Sequence, residues 1–292
     1  GGSGFIGSHV ADRLTKLGNL VTIYDCISSS WLLPNQEMVL GNVLDVEKLN
    51  KTVAGADIVY NFAAISDLNQ ALNNPIETVN YNILGNINVM ESCRLNNVMR
   101  FMFASSVYVH SREGGFYRCS KQASEAYIEE YKRIYGLNYT ILRYGSLYGP
   151  RADNSNGLYR VISSALKNGI VSYEGHPESM REYIHVEDAA IASVDAISDD
   201  FKNENIVLTG QEPMRVKDIL KMLAEILNLS NDKVEFIKSD VVGHYIRTLL
   251  VMRSRAQEKG IRPQCCTIVA ELCSALKFHA VHEVPRQRHA DC

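Results

Sequence analysis

Tyr117 and Lys121 lie four residues apart in the stretch FYRCSKQASEAYIEEYKRIYG. On a helix this spacing places both side chains on one face. A free tyrosine has a pKa of ~10, so a phenolate base at pH ~7 requires the pKa to fall by ~3 units, or ~4 kcal/mol. A lysine charge at ~4 Å supplies about that much, and a longer separation would need a second positive charge as well. The pair predicts acid–base chemistry, although two solvated residues on a helix surface give the same pattern.

Two serines, Ser105 and Ser106, end the preceding apolar run RFMFASS. If this run is a buried strand of a parallel sheet, their hydroxyl groups lie at its carboxyl end, where such sheets bind ligands. The alternative is that they only cap the next turn, as strand-end serines often do. Serines followed by the Tyr-x-x-x-Lys pair indicate an active site more specifically than either pattern alone.

The sequence opens on a glycine-rich turn, GGSGFIG, that fits two dinucleotide-binding patterns. Gly1, Gly4 and Gly7 match G-x-x-G-x-x-G, and Gly2 with the last two matches G-x-G-x-x-G. Glycines let the backbone approach a pyrophosphate, whose charge then lies at the N-terminus of the helix that begins near Phe5.

Asp25 ends the strand-like run LVTIYD, 21 residues after Gly4. A carboxylate at this place accepts hydrogen bonds from the adenosine ribose hydroxyls and repels a 2′-phosphate. We therefore predict NAD rather than NADP as the cofactor. A plain turn residue at the end of the strand is the alternative.

Strand-like apolar runs alternate with helical patterns along the chain. The predicted strands lie in LVTIYD, DIVYNFAA, RFMFASS, NYTILRY and NIVLTG, and the predicted helices at 7–17, 75–96, 118–135, 157–168 and 215–228. This alternation predicts an α/β fold with a parallel sheet covered on both faces. Because a glycine turn of this kind normally follows a central strand, we expect a few natural residues before Gly1, and a segment that starts at Gly1 to be unstable.

Composition argues against several classes of protein. The 292 residues carry a net charge of −3 without a basic stripe, so nucleic acid is not an expected partner. No apolar run approaches the ~18 residues that span a bilayer, and the cysteines do not form a secreted framework, so we expect no membrane partner and a cytoplasmic location. The last 28 residues hold four of the seven cysteines and three of the eight histidines, and within them TIVAELCSALKF is typical of a helix. They lack the Cys-x₂₋₄-Cys spacing of zinc sites, so no metal is predicted.

With these motifs the chain resembles the extended short-chain dehydrogenase/reductases, and among them the NAD-dependent epimerase/dehydratase family that acts on nucleotide sugars. The resemblance covers residues 1 to about 248 and is carried by GGSGFIGSHV, YNFAA, VNYNILGNINVMES, FASSVYVHS, YRCSK, LRYGSLYGPR and REYIHVEDAA. It implies a Rossmann-like doubly wound parallel sheet with a smaller C-terminal substrate-binding part. The implied domains are an NAD-binding Rossmann domain at 1–150, a mostly substrate-binding part at 151–248 and an atypical tail at 249–292.

The resemblance also implies roles for individual residues. The catalytic set is Ser106, which orients the reacting oxygen, Tyr117 as acid/base, Lys121 as its partner, and Asn82, which helps to order the site. The cofactor-binding set is Gly1, Gly4, Phe5, Ile6, Gly7, Asp25, Asp45, Val46, Ala63 and Ala64, with Tyr117 and Lys121. The substrate-binding set is Ser106, Asn156 and Arg181, which grips the diphosphate.

Most of the transferred roles have a simpler alternative. In chain order these are a turn residue for Asp45, close helix packing for Ala63 and Ala64, a helix-surface amide for Asn82, a turn residue for Asn156, and a surface ion pair with Glu182 or Glu187 for Arg181. The structure has to show which side chains are buried and which lie near the tyrosine.

Differences from the family pattern restrict which of the family's reactions we expect. Val107 and Tyr108 follow Ser106, where the sugar 4,6-dehydratases carry Asp-Glu, so the extra acid and base for eliminating water are absent. Only ten residues separate Ser106 from Tyr117, where the family usually has a longer substrate loop. We expect an NAD-dependent nucleotide-sugar epimerase that works by transient hydride transfer through a keto-sugar, as a homodimer formed through the 75–96 and 118–135 helices. The alternatives are a nucleotide-sugar reductase or dehydrogenase of the same family and a non-catalytic nucleotide-binding homologue.

Overall fold

The computed structural model describes residues 1–210 and 212–237, in which strands and helices alternate as the sequence predicts. The helices are α1 Phe5–Lys16, α2 Val46–Val53, α3 Leu68–Asn73, α4 Pro75–Thr78, α5 Gly85–Leu95, α6 Gly115–Tyr135, α7 Gly157–Asn168, α8 Val186–Asp195 and α9 Val216–Ile226. The strands are β1 Val21–Asp25, β2 Gln36–Leu40, β3 Ile58–Asn61, β4 Arg100–Ser106, β5 Tyr139–Tyr144, β6 Ser146–Tyr148, β7 Val171–Glu174, β8 Met180–His185, β9 Glu204–Leu208, β10 Pro213–Arg215 and β11 Val234–Ile237. A π-helical segment, Val79–Leu84, joins α4 to α5, and a 3₁₀ segment, Val107–His110, follows β4.

Two parallel sheets form the larger part of the fold. β3, β4, β5 and β9 form one sheet in that order, and β1 and β2 form the other. The later strands form smaller sheets: β10–β8–β6, in which β10 and β8 are antiparallel, and the parallel pair β7–β11. The predicted α/β fold, with parallel sheets and a smaller C-terminal part, is confirmed.

β4 lies at the centre of the core, with a strand on each side and helices on both faces. Phe101 and Phe103 pack with Met90 of α5 and Ile128 of α6, whereas Met102 packs with residues of β5 and α8. The side chains divide in this way because successive residues of a strand point to opposite faces of the sheet. Each of these five side chains is at most 1% exposed, and burying one contributes ~1.5–3 kcal/mol. The packing fixes the carboxyl end of β4 against α6.

The structure differs from the sequence prediction in several places. The predicted 75–96 helix runs from Pro75 to Leu95, but Val79–Leu84 within it is π-helical. α6 begins at Gly115, directly after Gly114, whose φ of 94° favours glycine. The elements that the sequence analysis did not predict are short: the strands β2, β6, β7, β8, β10 and β11 and the helices α2, α3 and α8. Short segments without a clear apolar periodicity give little signal.

Some predictions concern residues beyond the described part of the chain. The TIVAELCSALKF helix and the cysteine- and histidine-rich tail lie outside residues 1–210 and 212–237. Within those ranges, no group of three or more His, Cys, Asp or Glu side chains is placed to hold a metal ion. Among the helices described there, none has both the length and the apolar character needed to pass through a membrane.

Candidate active site

The glycine-rich turn packs tightly against α1 and the residues after β3. α1 begins at Phe5, as predicted, directly after Gly4. A Cβ atom on Gly7 would overlap the carbonyl oxygen of Gly1, and one on Gly1 would overlap the backbone of Ala63. Because glycine has no Cβ atom, these segments can approach so closely. The amide groups of the first turn of α1 thus lie beside a compact turn, an arrangement that can bind phosphate.

Asp25, the last residue of β1, lies beside this turn with its side chain 13% exposed. Its Oδ2 accepts a hydrogen bond from the amide of Ser3 (2.9 Å), and its Oδ1 accepts one from the amide of Ile27 (3.1 Å). A carboxylate has about four acceptor positions. Asp25 is therefore held in place by two amides and keeps capacity to accept hydrogen bonds from ligand hydroxyls.

Ser106, Tyr117 and Lys121 come together where β4 ends and α6 begins. The Ser106 side chain lies close enough to the Tyr117 hydroxyl to favour its ionised form and lower its pKa. Lys121 is 3% exposed, and its Nζ donates to the carbonyl oxygen of Ala104 (2.7 Å). The same Nζ lies 4.7 Å from the centroid of the Phe103 ring and 5.7 Å from that of the Tyr117 ring. The structure thus places the predicted serine, tyrosine and lysine side by side.

Burial makes the largest contribution to the shifts in the pKa values of Tyr117 and Lys121. It raises the pKa of Tyr117 from 10.0 to about 12, although the neighbouring Ser106 side chain acts in the opposite direction. It lowers the pKa of Lys121 from 10.5 to about 8, although the charge of Glu125 raises it. In the chain alone, burial of the phenolate therefore makes the largest contribution to the pKa of Tyr117. The lowering of this pKa by Lys121, helped by a second positive charge when the two groups are further apart, stays a prediction.

Asn82 lies in the π-helical segment Val79–Leu84 and is 2% exposed, so it is not a surface amide. Its Oδ1 accepts from the amide of Ile65 (2.7 Å), and its Nδ2 donates to the carbonyl oxygen of Ile65 (3.0 Å) and to Ser120 Oγ (2.9 Å). Ser120, which no sequence motif singled out, donates to the carbonyl oxygen of Tyr117 (2.8 Å). Asn82 therefore reaches Tyr117 through Ser120.

The other predicted cofactor residues lie at the starts of helices and after β3. Asp45 caps α2, with Oδ1 accepting from the amide of Lys48 (3.1 Å), and Val46 is the first residue of that helix. Ala63 and Ala64 are half-buried. In α1, the Phe5 ring meets the His9 ring edge to face, and the Ile6 side chain packs against the buried face of α8. Because the Ile6 side chain is engaged in this packing, a ligand can bind Ile6 through its backbone amide.

Two of the three residues predicted to bind substrate lie in the smaller part of the fold. Arg181, on β8, is 8% exposed, and its Nη2 donates to the Tyr173 hydroxyl (3.2 Å). Asn156 precedes α7; its Oδ1 accepts from the amide of Tyr159 (3.0 Å), and its Nδ2 donates to a carbonyl oxygen of β6 (2.7 Å). Both polar atoms of the Asn156 side chain are thus hydrogen-bonded to nearby backbone groups. This favours the alternative in which Asn156 is a turn residue.

Tyr108 connects the catalytic group with Arg181. Its ring meets the Tyr117 ring edge to face, with 6.4 Å between centroids. Burial raises the pKa of Tyr108 and the nearby charge of Arg181 lowers it. Tyr108 therefore lies between the proposed acid/base and the predicted diphosphate site. Its sequence position suggests no such place, because the contact depends on how β8 packs against the segment after β4.

Glu125 and Arg143 form a buried ion pair next to this group, and each is 7% exposed. Arg143 donates from Nε to Glu125 Oε1 (3.0 Å) and from Nη2 to Oε2 (2.6 Å). Ser105 Oγ also donates to Glu125 Oε1 (2.5 Å). The sequence motifs did not reveal this pair. Two signals could have found it: Glu125 follows Lys121 by four residues, and Arg143 is a charge within the apolar run NYTILRY.

The chain is similar to known proteins over most of its length. The NAD dependent epimerase/dehydratase family matches residues 1–208. A putative UDP-glucose 4-epimerase of Methanocaldococcus jannaschii is 31% identical over 236 residues, which cover 73% of this chain and 76% of that protein.

Solved structures show the same architecture. A UDP-glucose 4-epimerase of Thermotoga maritima, solved with UDP-glucose, has a TM-score of 0.82 and 25% identity and covers 96% of this chain and 97% of its own. The dTDP-glucose 4,6-dehydratase DesIV of Streptomyces venezuelae has a TM-score of 0.85 and 22% identity, and the match covers 96% of this chain and 95% of DesIV. At this level of identity, the similarity shows a shared fold and nothing more. Since the family match takes in both the glycine turn and the Ser106–Tyr117–Lys121 group, the chain belongs to the NAD-dependent epimerase/dehydratase family.

Proposed function

We propose that the protein is an NAD-dependent nucleotide-sugar epimerase that uses Ser106, Tyr117 and Lys121. The proposal is carried by the close approach of Ser106 to the Tyr117 hydroxyl, with Lys121 one helical turn away, at the carboxyl end of a buried parallel strand. This edge of the sheet is where ligands bind in α/β folds. The similarity to the two UDP-glucose 4-epimerases supports a nucleotide sugar as the substrate class.

The residues around the glycine turn fit NAD. The turn excludes a Cβ atom at Gly1 and Gly7, so its backbone can approach a pyrophosphate at the N-terminus of α1. Asp25 would accept hydrogen bonds from the adenosine ribose. The other residues proposed to contact NAD are Gly4, Phe5, Ile6, Asp45, Val46, Ala63, Ala64, Tyr117 and Lys121. When bound, NAD supplies the hydride acceptor and donor of the reaction.

The part of the chain in the reaction is to hold the sugar and to move one proton. Tyr117 takes the proton of the reacting sugar hydroxyl and later returns it, while Ser106 orients that oxygen. Lys121 binds the nicotinamide ribose and, with a pKa of about 8, is mostly protonated at neutral pH. Because the pKa of Tyr117 is about 12 in the chain alone, its phenolate needs the charges of Lys121 and the oxidised cofactor together.

We place the cofactor in residues 1–150 and most of the substrate site in residues 151–248. Arg181 would grip the diphosphate, because a guanidinium binds phosphate oxygens in pairs and Tyr173 holds this one in position. Asn156 would contribute less, since its side chain is engaged with α7 and β6. Tyr108 stands where the dehydratases carry an acid, which favours epimerisation over loss of water.

A screen of UDP-, GDP- and dTDP-sugars with NAD, read by NMR of the products, tests this function. The expected result is interconversion of two epimers without net change in the cofactor. Net oxidation or reduction of the cofactor would indicate the reductase or dehydrogenase instead. Cofactor binding without turnover of any sugar would indicate the non-catalytic homologue.

We expect NAD to bind at least about tenfold more tightly than NADP, a difference of ~1.4 kcal/mol. The reason is that the Asp25 carboxylate, fixed by the amides of Ser3 and Ile27, repels a 2′-phosphate. Titration calorimetry with both cofactors measures the ratio, and Asp25→Asn should reduce it by removing the charge. Equal affinities in the unaltered protein would remove Asp25 from the ribose site.

We also expect a two-fold dimer formed through the Pro75–Leu95 helix and α6. Both helices expose large apolar side chains, such as Ile76 (76% exposed) and Tyr127 (47%), as helices do that pack into a four-helix bundle. Light scattering at micromolar concentration should give a dimer mass, and Tyr127→Glu should shift it to the monomer. Leu166→Glu, on an exposed position of α7, serves as the control and should remain dimeric. A monomeric unaltered protein would contradict the expectation.

A further inference from the structure

Three consecutive residues at the end of β4 hold three successive turns of one face of α6. The contacts are Ser106 with Tyr117, the Ala104 carbonyl with Lys121, and Ser105 with Glu125. Side chains four residues apart on a helix are neighbours on its surface. Glu125 is therefore the third member of the row that carries the tyrosine and the lysine.

The Glu125 carboxylate has a fixed position. Arg143 donates two hydrogen bonds to it and Ser105 donates a third, and Ser105 and Arg143 are themselves paired across β4 and β5. A buried carboxylate with three such bonds cannot turn towards solvent. Its negative charge thus stays one helical turn from Lys121.

Lys121, in contrast, is held by neutral groups. Its Nζ bonds to the Ala104 carbonyl oxygen and faces the Phe103 ring. Burying an ammonium group without water favours loss of its proton. The charged or titratable groups around this part of α6 are Tyr117 and Glu125 on α6 itself, Arg143 on β5 and His110 on the 3₁₀ segment.

We propose that Glu125 is a positioning residue for the Tyr117–Lys121 pair: it holds α6 in register with the end of β4, and its fixed charge keeps the buried lysine cationic. The inference rests on the proposed function of that pair. The charge effect follows from Coulomb attraction in a site of low dielectric. The register effect follows because Ser105, bonded to Glu125, directly precedes Ser106, which lies next to the Tyr117 hydroxyl.

An NMR titration of Lys121 in the full chain tests the charge effect without any substrate. The lysine ε carbons are labelled with ¹³C, and the Lys121 signal is assigned by its loss in Lys121→Met. Glu125→Gln should lower the pKa of Lys121 by about one unit. Glu125→Asp, which keeps the charge, should retain most of the original value. Asp12→Asn breaks the partly buried Asp12–Arg151 ion pair elsewhere and should leave the titration unchanged.

An unchanged titration in folded Glu125→Gln would overturn the proposal, as would an equal shift in Glu125→Asp, which would assign the effect to packing. If Glu125→Gln does not fold because Arg143 loses its partner, the double variant Glu125→Leu/Arg143→Met removes both charges. The pKa of Lys121 should be lower in this double variant than in Arg143→Met alone, because the two differ only at residue 125, and equal values overturn the proposal. Because the titration needs no sugar, it judges Glu125 even if the sugar screen finds no turnover.

In an active enzyme the same variant has a kinetic signature. Glu125→Gln should move the alkaline limb of the kcat profile about one pH unit lower, because Lys121 then loses its charge at a lower pH. A purely structural role would lower kcat without moving the limb, and that result would count against the proposal.

Discussion

Tyr117→Phe should reduce turnover by about 10²–10⁴-fold, the usual contribution of a positioned acid/base, while NAD binding changes little. The substitution removes only the hydroxyl group next to Ser106, and the ring that meets Tyr108 stays in place. The measurements are kcat by product NMR and the NAD dissociation constant by calorimetry. A variant that keeps most of its turnover would show that another group moves the proton.

Tyr131→Phe is the matched control for this experiment. Tyr131 lies on the same helix, and its hydroxyl is hydrogen-bonded to Glu91 (3.2 Å), away from the β4 end. The substitution removes the same hydroxyl group from a tyrosine and should leave kcat within about twofold. A similar loss of turnover in both variants would point to damage to α6 rather than to loss of a reacting group.

Gly7→Ala should weaken NAD binding by at least about 100-fold, or ~2.7 kcal/mol. The added methyl group would overlap the carbonyl oxygen of Gly1 and also press on Gly2, and these are backbone atoms that cannot rotate away. The turn would have to open, which moves the amide groups away from the pyrophosphate. Calorimetry measures the affinity, and a thermal melt without NAD reports the accompanying loss of stability.

Gly157→Ala is the control for the added methyl group. Gly157 is the first residue of α7, and a Cβ atom there would lie 3.9 Å from its nearest neighbour, Arg160 Nη2, so the methyl group has room. Alanine in a helix is also more favourable than glycine. This variant should bind NAD normally. Normal binding by Gly7→Ala as well would mean that the close packing of the turn does not shape the cofactor site.

The parts of the fold and site that local patterns encode could be predicted from the sequence. β4 coincides with the run RFMFASS, because a strand buried on both faces needs an unbroken apolar sequence. α7 coincides with the predicted 157–168 helix, where Asn156 and Gly169 mark the two ends. The proximity of Tyr117 and Lys121 follows from helical spacing, and their approach to Ser106 follows from the position of ligand sites in parallel sheets.

The remaining features depend on contacts between distant segments. The pKa of Tyr117 depends on how much protein covers it, which no spacing reveals. The Glu125–Arg143 ion pair joins a helix to a strand across 18 residues of sequence. Asn82 meets Ile65 and Ser120 from within a π-helical segment, an irregularity that has no simple residue signature.

The π-helical segment Val79–Leu84 also constrains how the length of the chain can change. A helix turns by about 100° per residue, so one extra residue in a turn rotates everything after it relative to an uninterrupted helix. Asn82, inside the segment, bonds to Ile65, and Asn86, after it, accepts from Asn61 Nδ2 (2.8 Å). Deleting a single residue would restore a regular helix but turn one of these two asparagines away from its partner. We therefore expect this segment to tolerate substitutions more readily than insertions or deletions. The number of residues in the segment matters because it sets the direction in which Asn82 and Asn86 point.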